Sequence, residues 1–490
     1  MERDATRRSW VLRVENPGSV TNNFGRHPEA RAHETEVAFS FIRAHDLPSM
    51  KAHPVLLPIV ISLLHSSAVA ETVKDREGAV REDRAAMEKD ARWIYNDFSR
   101  GLAEAKRTGK PLLVVLRCVP CLACAGIDAS VLTEPKLAPL LEQFVCVRMI
   151  NANALDLSLF QFDYDLSFAT LFFNGDGTVY GRYGSWRHQK DPQDKTTAGY
   201  QRALEAALAA HRGYPGNRAS LAGKQGRPMP FKTAVDIPEL AGKFKTELDW
   251  KGRVVPSCVH CHQIGEAVRA AIREKNESMP LDLIYPWPAP ETIGLVLAPD
   301  QVAQVQSVVP GSAAASAGLQ AGDEFASLDG QLLLSIADVS WVLHHGPESG
   351  SLPAVVKRGG VEKPLNILLP ADWRRKTDIS RRVGAWSMRA MAAGGLWLED
   401  LADEERARRN LGTTGMALRV KHAGEYGKHA AAKKAGFQKE DIIVALDGRS
   451  ARITESEMLG SLLQTHRPGE KVNATVLRGA QRMDFSLPMQ

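Results

Sequence analysis

The feature that most constrains this chain is a passage spelled twice. Pro310-Gly311-Ser312-Ala313-Ala314 leads to Ala317-Gly318-Leu319, then Gly322-Asp323, then Leu328-Asp329-Gly330. The second copy reads Ala430-Ala431-Ala432, Ala435-Gly436-Phe437, Glu440-Asp441 and Leu446-Asp447-Gly448. Each copy closes on a basic hairpin, Val356-Lys357-Arg358-Gly359-Gly360 and Val476-Leu477-Arg478-Gly479. The Asp-Gly turns lie about 118 residues apart, a domain-sized period rather than a solenoid one. The back of the chain therefore holds two copies of one turn-rich, mainly-β module. At 490 residues the chain exceeds a single hydrophobic core, so the front must fold as something else.

This series of motifs resembles bacterial PDZ domains. The resemblance implies modules over 293–372 and 393–490, joined by a linker over 373–392. PDZ domains take an extended C-terminal peptide as an added strand and hold its carboxylate on backbone N–H groups. The matching loops here are Ile293-Gly294-Leu295-Val296 and Gly395-Leu396-Trp397-Leu398, which makes Gly294, Leu295, Val296, Gly395, Leu396 and Trp397 the peptide-binding candidates. Modules that only pack or oligomerise are the competing reading. Envelope serine proteases also carry paired PDZ modules, but no Gly-x-Ser-x-Gly motif occurs here.

Six cysteines are few, yet five fall in two tight clusters: Cys118, Cys121 and Cys124, then Cys258 and Cys261. Clustering at x-x spacing points to chemistry or metal rather than a disulfide framework. Cys146, on an alternating strand, reads as a small buried hydrophobe. Net charge is only +5, with no basic stripe interleaved with aromatics, so nucleic-acid binding has little support.

The first cluster follows the apolar run Leu112 to Leu116, a strand buried on both faces, and should open a helix. A thiol at a helix N-terminus is stabilised as thiolate, and a second thiol three residues on can attack a mixed disulfide. Around it, Val73 to Arg107 reads as a charged helical stretch and Phe144 to Ile150 as a second buried strand. Leu171 to Tyr180 reads as a hairpin over Gly175-Asp176-Gly177, and Thr197 to Arg212 as a closing helix. An α/β sheet with helices on both faces follows, over 71–213.

That strand-Cys-x-x-Cys-helix context resembles thioredoxin-like proteins, over roughly residues 91–212. The resemblance places Cys121 as nucleophile and Cys124 as resolving thiol, counting from Val114, with Cys118 an extra thiol able to resolve or regulate. Pro120 takes the usual tryptophan position. Ala169 stands where thioredoxins carry a cis-proline, which leaves room near the sulfurs; a soft metal such as Cu(I) is the alternative occupant.

After a Pro-, Gly- and Lys-rich stretch over 214–248 that reads as a linker, residues 249–292 carry Ser257-Cys258-Val259-His260-Cys261-His262. This matches the attachment signature of c-type haem, with Cys258 and Cys261 taking the vinyl groups. By resemblance to c-type cytochromes His262 ligates the iron. Half of a zinc site completed by His260 and His262, or a second dithiol, are the competing readings.

Residues 50–70, MKAHPVLLPIVISLLHSSAVA, read as a secretory signal with a basic start, a short apolar run and Ala68-Val69-Ala70 as cleavage site. Translation is then expected to begin at Met50, with 1–49 a mis-assigned upstream extension, and the mature chain to have no transmembrane segment. The whole order resembles the thioredoxin-like/PDZ-domain (seleno)protein family, here with cysteine at all three positions of the redox motif. The fold implied is multidomain α/β plus mainly-β: a thioredoxin-like domain, a short Cys-x-x-Cys-His segment and two PDZ domains. The expected function is an exported periplasmic or envelope thiol–disulfide redox or electron-transfer protein with PDZ-recruited clients. A non-enzymatic PDZ scaffold or metallochaperone is the second reading.

Overall fold

The computed structural model describes residues 75–119, 134–166, 168–184 and 197–490. The expected signal segment and the upstream extension lie outside the described residues, as do Cys121 and Cys124.

The front domain is a five-stranded sheet of order β1-β3-β2-β4-β5, formed by Trp93–Tyr95, Val145–Met149, Leu112–Arg117, Phe168–Phe173 and Val179–Tyr183 respectively. β1 and β2 run parallel to β3, while β4 is antiparallel to both β2 and β5. All six residues of β2 are buried, because alternate side chains enter two different cores. Val114 and Leu116 face the core that includes Phe98 and Leu102, on the side of a helix over Phe98–Thr108. Leu113 and Val115 face the core that holds Tyr200, Leu204 and Leu208, from a helix over Thr197–Gly213. Gly101 permits the close approach on the first side: a Cβ there would sit 2.3 Å from the Val147 side chain.

The single helical stretch expected from Val73 to Arg107 is instead broken. Helix α1 (Arg76–Lys89) ends at Asp90, edge strand β1 follows, and α2 (Phe98–Thr108) restarts at Asp97, whose side chain accepts from Arg100 N–H. Asn96 at φ 53° makes the turn between them. The Trp-Ile-Tyr triplet suits a strand, and β3 offers it a free edge.

The expected linker over 214–248 is a second departure. Its Pro and Gly deny it long elements, but Leu221, Ala234, Ile237, Leu240 and Leu248 are buried among the front-domain cores, and Lys224 is fully buried. It is a wrapping segment fixed at every few residues. The helix over Thr197–Gly213 is α3, and α4 (Cys261–Glu274) docks on the front core through Ile264, Ala267 and Val268.

The first repeat contains a two-stranded sheet, β6 (Leu295–Leu297) with β7 (Val305–Val308), and a three-stranded one, β8 (Glu324–Leu328), β9 (Gly350–Arg358) and β10 (Val361–Leu369). Helix α5 (Ile336–His345) lies between front domain and repeat. The second repeat forms one sheet in sequence order, β11 (Leu396–Asp400), β12 (Leu418–Ala423), β13 (Ile442–Leu446), β14 (Lys471–Arg478) and β15 (Gln481–Pro488). The expected 373–392 linker is again structured. Trp373 enters the first repeat's core, and α6 (Ala385–Ala393) packs on α7 (Glu455–Thr465) in the second. Two residues apart in the Pro-rich run, Tyr285 is buried in the second repeat's core and Trp287 in the first's.

Each repeat uses one internal fastening. Arg358 holds Asp323 through two hydrogen bonds of 2.7 Å and donates to Gly318 O; Arg478 holds Asp441 and Gly436 O in the same way. These arginines belong to the basic hairpins of the sequence repeat, and their partners to its Gly-Asp and Glu-Asp pairs.

The repeats attach to their surroundings differently. On α5, Asp338 and Lys224 form a fully buried ion pair at 2.9 Å; Asp338 also accepts from Arg182 N–H, and Trp341 Nε1 donates to Gly223 O. Burial pushes the Lys224 ammonium down to about 8, against the pull of Asp338. On α7, Glu455 instead holds Arg389 of α6 at 2.9 and 2.6 Å and accepts from Leu398 N–H of edge strand β11 at 2.7 Å.

Candidate functional site

Strand β2 delivers Cys118 from the centre of the front sheet. Its antiparallel partner β4 sets Ala169 opposite Leu116 and Phe168 opposite Arg117, so the residue at the expected proline position faces the cysteine end of the strand. The loop entering β4 is clamped by Arg382, from the segment between the repeats, which bonds Asp163 and meets Asp165 at 2.8 Å. Burial raises Asp163 to about 6.

At the end of β2 the two cysteine motifs meet. The Cys118 sulfur lies 3.0 Å from His260 Nδ1, across 142 residues of sequence. His260 sits inside the Cys-x-x-Cys-His segment, at the turn that opens α4. Its backbone is fixed there by Gln263, whose amide donates to the His260 carbonyl at 2.9 Å and whose Oε1 accepts from His260 N–H at 2.8 Å. Asn153 ties the segment to the front domain. Its Oδ1 accepts from Val259 N–H at 2.7 Å, and its Nδ2 donates to the carbonyls of Ser257 and Lys245 at 2.8 and 2.6 Å. A fully buried asparagine serving three backbone groups is a positioning residue that sequence reasoning missed. Its signal was faint: a polar Asn151-Ala152-Asn153 directly after a buried strand.

Burial dominates the electrostatics. It pushes the Cys258 thiol up to about 11 and Cys261 up to about 12, and Cys146 likewise to about 12. Both segment thiols therefore stay protonated at neutral pH. Burial, with His262 and Arg76 nearby, holds His260 down to about 4, so its ring is neutral. His262 lies 5.9 Å from His260, ring to ring, and its Nδ1 is 3.1 Å from Glu266 Oε1 one turn along α4.

A covalent haem needs both sulfurs turned to one open face with space for a macrocycle. Here Cys258 packs with Val119 and Leu248, its sulfur 3.5 Å from the Ile150 carbonyl, whereas Cys261 packs on the core beneath β2 and β3. The two cysteines thus pack against different clusters, and a porphyrin taking both sulfurs would require them to turn out of those clusters. Among the described residues no three His, Cys, Asp or Glu side chains converge as metal ligands.

The six loop residues of the repeats are strand starts. Gly294 (φ 78°) precedes β6, where Leu295 and Val296 pair with β7. Gly395 (φ 89°) precedes β11, where Leu396 and Trp397 pair with β12. A Cβ on Gly395 would meet the His429 carbonyl, so the close approach requires glycine. Trp397 is 38% exposed and 6.1 Å from Trp386, which in turn faces His429 at 6.4 Å. Glu266 of α4 acts electrostatically on His429. Helix α4 meets the second repeat elsewhere: Ile272 packs on its core, and Arg273 Nε donates to the Gln490 carbonyl at 3.0 Å.

Residues 93–175 match the thioredoxin-like family, and residues 304–358 and 418–489 each match the PDZ domain. This chain is a thioredoxin-like domain followed by two PDZ domains. No curated protein matches it. Among solved structures it overlaps the HtrA-type protease AlgW with a decapeptide, at 17% identity and TM-score 0.18, covering 28% of this chain and 47% of that one. For AlgW with a tripeptide the figures are 21%, 0.17, 27% and 41%. The chain spans less than half of those proteases. PDZ domains imply peptide or protein binding, and the thioredoxin-like domain suggests a redox role. No helix among the described residues is long and apolar enough to cross a membrane.

Proposed function

We propose that the chain is an exported thiol–disulfide redox protein whose PDZ domains bring disulfide-bearing client proteins to the cysteines at the end of β2. The observation that carries this reading is the 3.0 Å contact between Cys118 and His260. It brings the two cysteine motifs together at the end of the central strand of a thioredoxin-like sheet. The contact of α4, which carries Cys261, with the second PDZ domain supports recruitment. By resemblance Cys121 attacks and Cys124 resolves.

Disulfide reductase turnover of the full chain tests the reading. Cys121→Ser should abolish it, and turnover unchanged by that substitution would end the enzyme reading. Protein made with a cytochrome c maturation system should show no covalent haem bands, and their appearance would restore Cys258, Cys261 and His262 as its attachment and iron ligand. A mass measurement of the exported protein should begin at Glu71.

A further inference from the structure

We propose that His260 is the proton acceptor of Cys118, so that the third residue of the Cys-x-x-Cys-His segment serves the thioredoxin-like domain's thiol. The inference rests on the redox reading above and departs from it in one respect: Cys118 attacks first, in place of Cys121, and Cys121 three residues on then resolves the mixed disulfide.

Three observations place it. The sulfur and Nδ1 are at hydrogen-bond distance, 3.0 Å. The histidine cannot drift, because Gln263 fixes its backbone and Asn153 holds the preceding Val259. In the Nε2–H tautomer Nδ1 presents a lone pair to the thiol proton. The neighbouring thiols are placed differently: the Cys258 sulfur lies 3.5 Å from the Ile150 carbonyl, and Cys261 packs on the core beneath β2 and β3. Cys118 is only half-buried, at the mouth of the strand.

The step balances with a client disulfide as the sole co-reactant. The Cys118 sulfur attacks one client sulfur, forming a mixed disulfide, and the bond between the two client sulfurs breaks. The Cys118 proton passes to His260 Nδ1 as the bond forms and then to the departing client sulfur, which leaves as a thiol. Cys118 is oxidised and the leaving sulfur reduced, with no outside oxidant. General-base assistance of this kind is worth about 10²–10⁴ in rate.

Alkylation of the full chain by iodoacetamide at pH 7, read at each cysteine by peptide mass spectrometry, tests the pairing with Cys146 as internal reference. His260→Gln and His260→Ala should each slow modification of Cys118 by about tenfold or more, leaving Cys146 unreactive and circular dichroism unchanged. Equal Cys118 rates in a folded variant and the wild type would overturn the proposal. Should the variants fail to fold, the wild type still decides it. Transfer of the thiol proton during attack requires a normal solvent deuterium isotope effect on Cys118 alkylation, and its absence overturns the proposal. Histidine-dependent alkylation without disulfide turnover would sink the redox reading and leave this pairing standing; turnover with histidine-independent alkylation would sink the pairing alone.

Discussion

The two PDZ domains share a skeleton and differ in how they are held. Both use a hairpin arginine to fasten the aspartate that follows the Ala-Gly turn, Arg358 to Asp323 and Arg478 to Asp441. Both start the long helix from a hydroxyl N-cap, Ser335 and Thr454. At the first helical position, however, PDZ1 has Ile336 and PDZ2 has Glu455. Glu455 turns inward and takes the Leu398 N–H on the free edge of β11, the kind of donor an added strand would use. In PDZ1 the charge sits two residues later, at Asp338, and points outward into the thioredoxin-like domain. The copies thus keep what makes the fold and diverge where each meets its neighbour. One repeat became an interdomain joint, and the other closed part of its own edge.

The comparison breaks most readily at Asp338. Asp338→Ala leaves Lys224 buried with no other ion-pair partner among the described residues and removes the acceptor of two backbone N–H groups. A loss of about 3–5 kcal/mol in denaturant unfolding is expected. A loss under about 1 kcal/mol would show that the joint is not held there. Glu455→Ala should cost less, about 2–3 kcal/mol. Arg389 would keep the Ser380 carbonyl and the faces of Trp386 and Trp397.

Acid should separate the two helices next. α5 ends in His344 and His345, both held below their ordinary value chiefly by burial, His345 at about 4; α7 contains no histidine. Between about 6.5 and about 4 the unfolded chain binds protons that folded α5 refuses, so its stability falls as pH drops through that window. Hydrogen exchange from pH 7 to pH 4 should accelerate in α5 before α7, and His345→Gln should flatten the difference. The smallest effects are expected at the shared fastening. Arg358→Ala and Arg478→Ala should lower the thermal midpoint slightly and by equal amounts, because each arginine is partly exposed and each buried aspartate keeps a backbone N–H donor, that of Gln320 or Gln438. Unequal shifts would show that the skeleton is not common after all.

Much of the architecture was legible because it is local. An unbroken apolar run marked β2, turn chemistry the β4–β5 hairpin and an Ala- and Leu-rich stretch α3, and the repeated Gly-Asp and Asp-Gly turns marked both PDZ domains. What escaped depends on contacts distant in sequence. Trp93–Tyr95 reads as helix until β3 supplies an edge to pair with. Residues 214–248 read as a linker because each buried side chain, such as Ile237 or Leu240, is bonded to nothing periodic. The meeting of Cys118 with His260 spans two domains' worth of chain, and the haem signature drew attention to His262 rather than to its neighbour two residues before.

Tyr285 and Trp287, planted in separate cores with only Pro286 between them, act as a coupling pin. Lengthening the chain there by one residue would force one ring out of its socket, since a strand-like step advances only about 3.3 Å. Evolution can therefore vary the outer loops of either PDZ domain freely, but the spacing between the pair is set by a single proline.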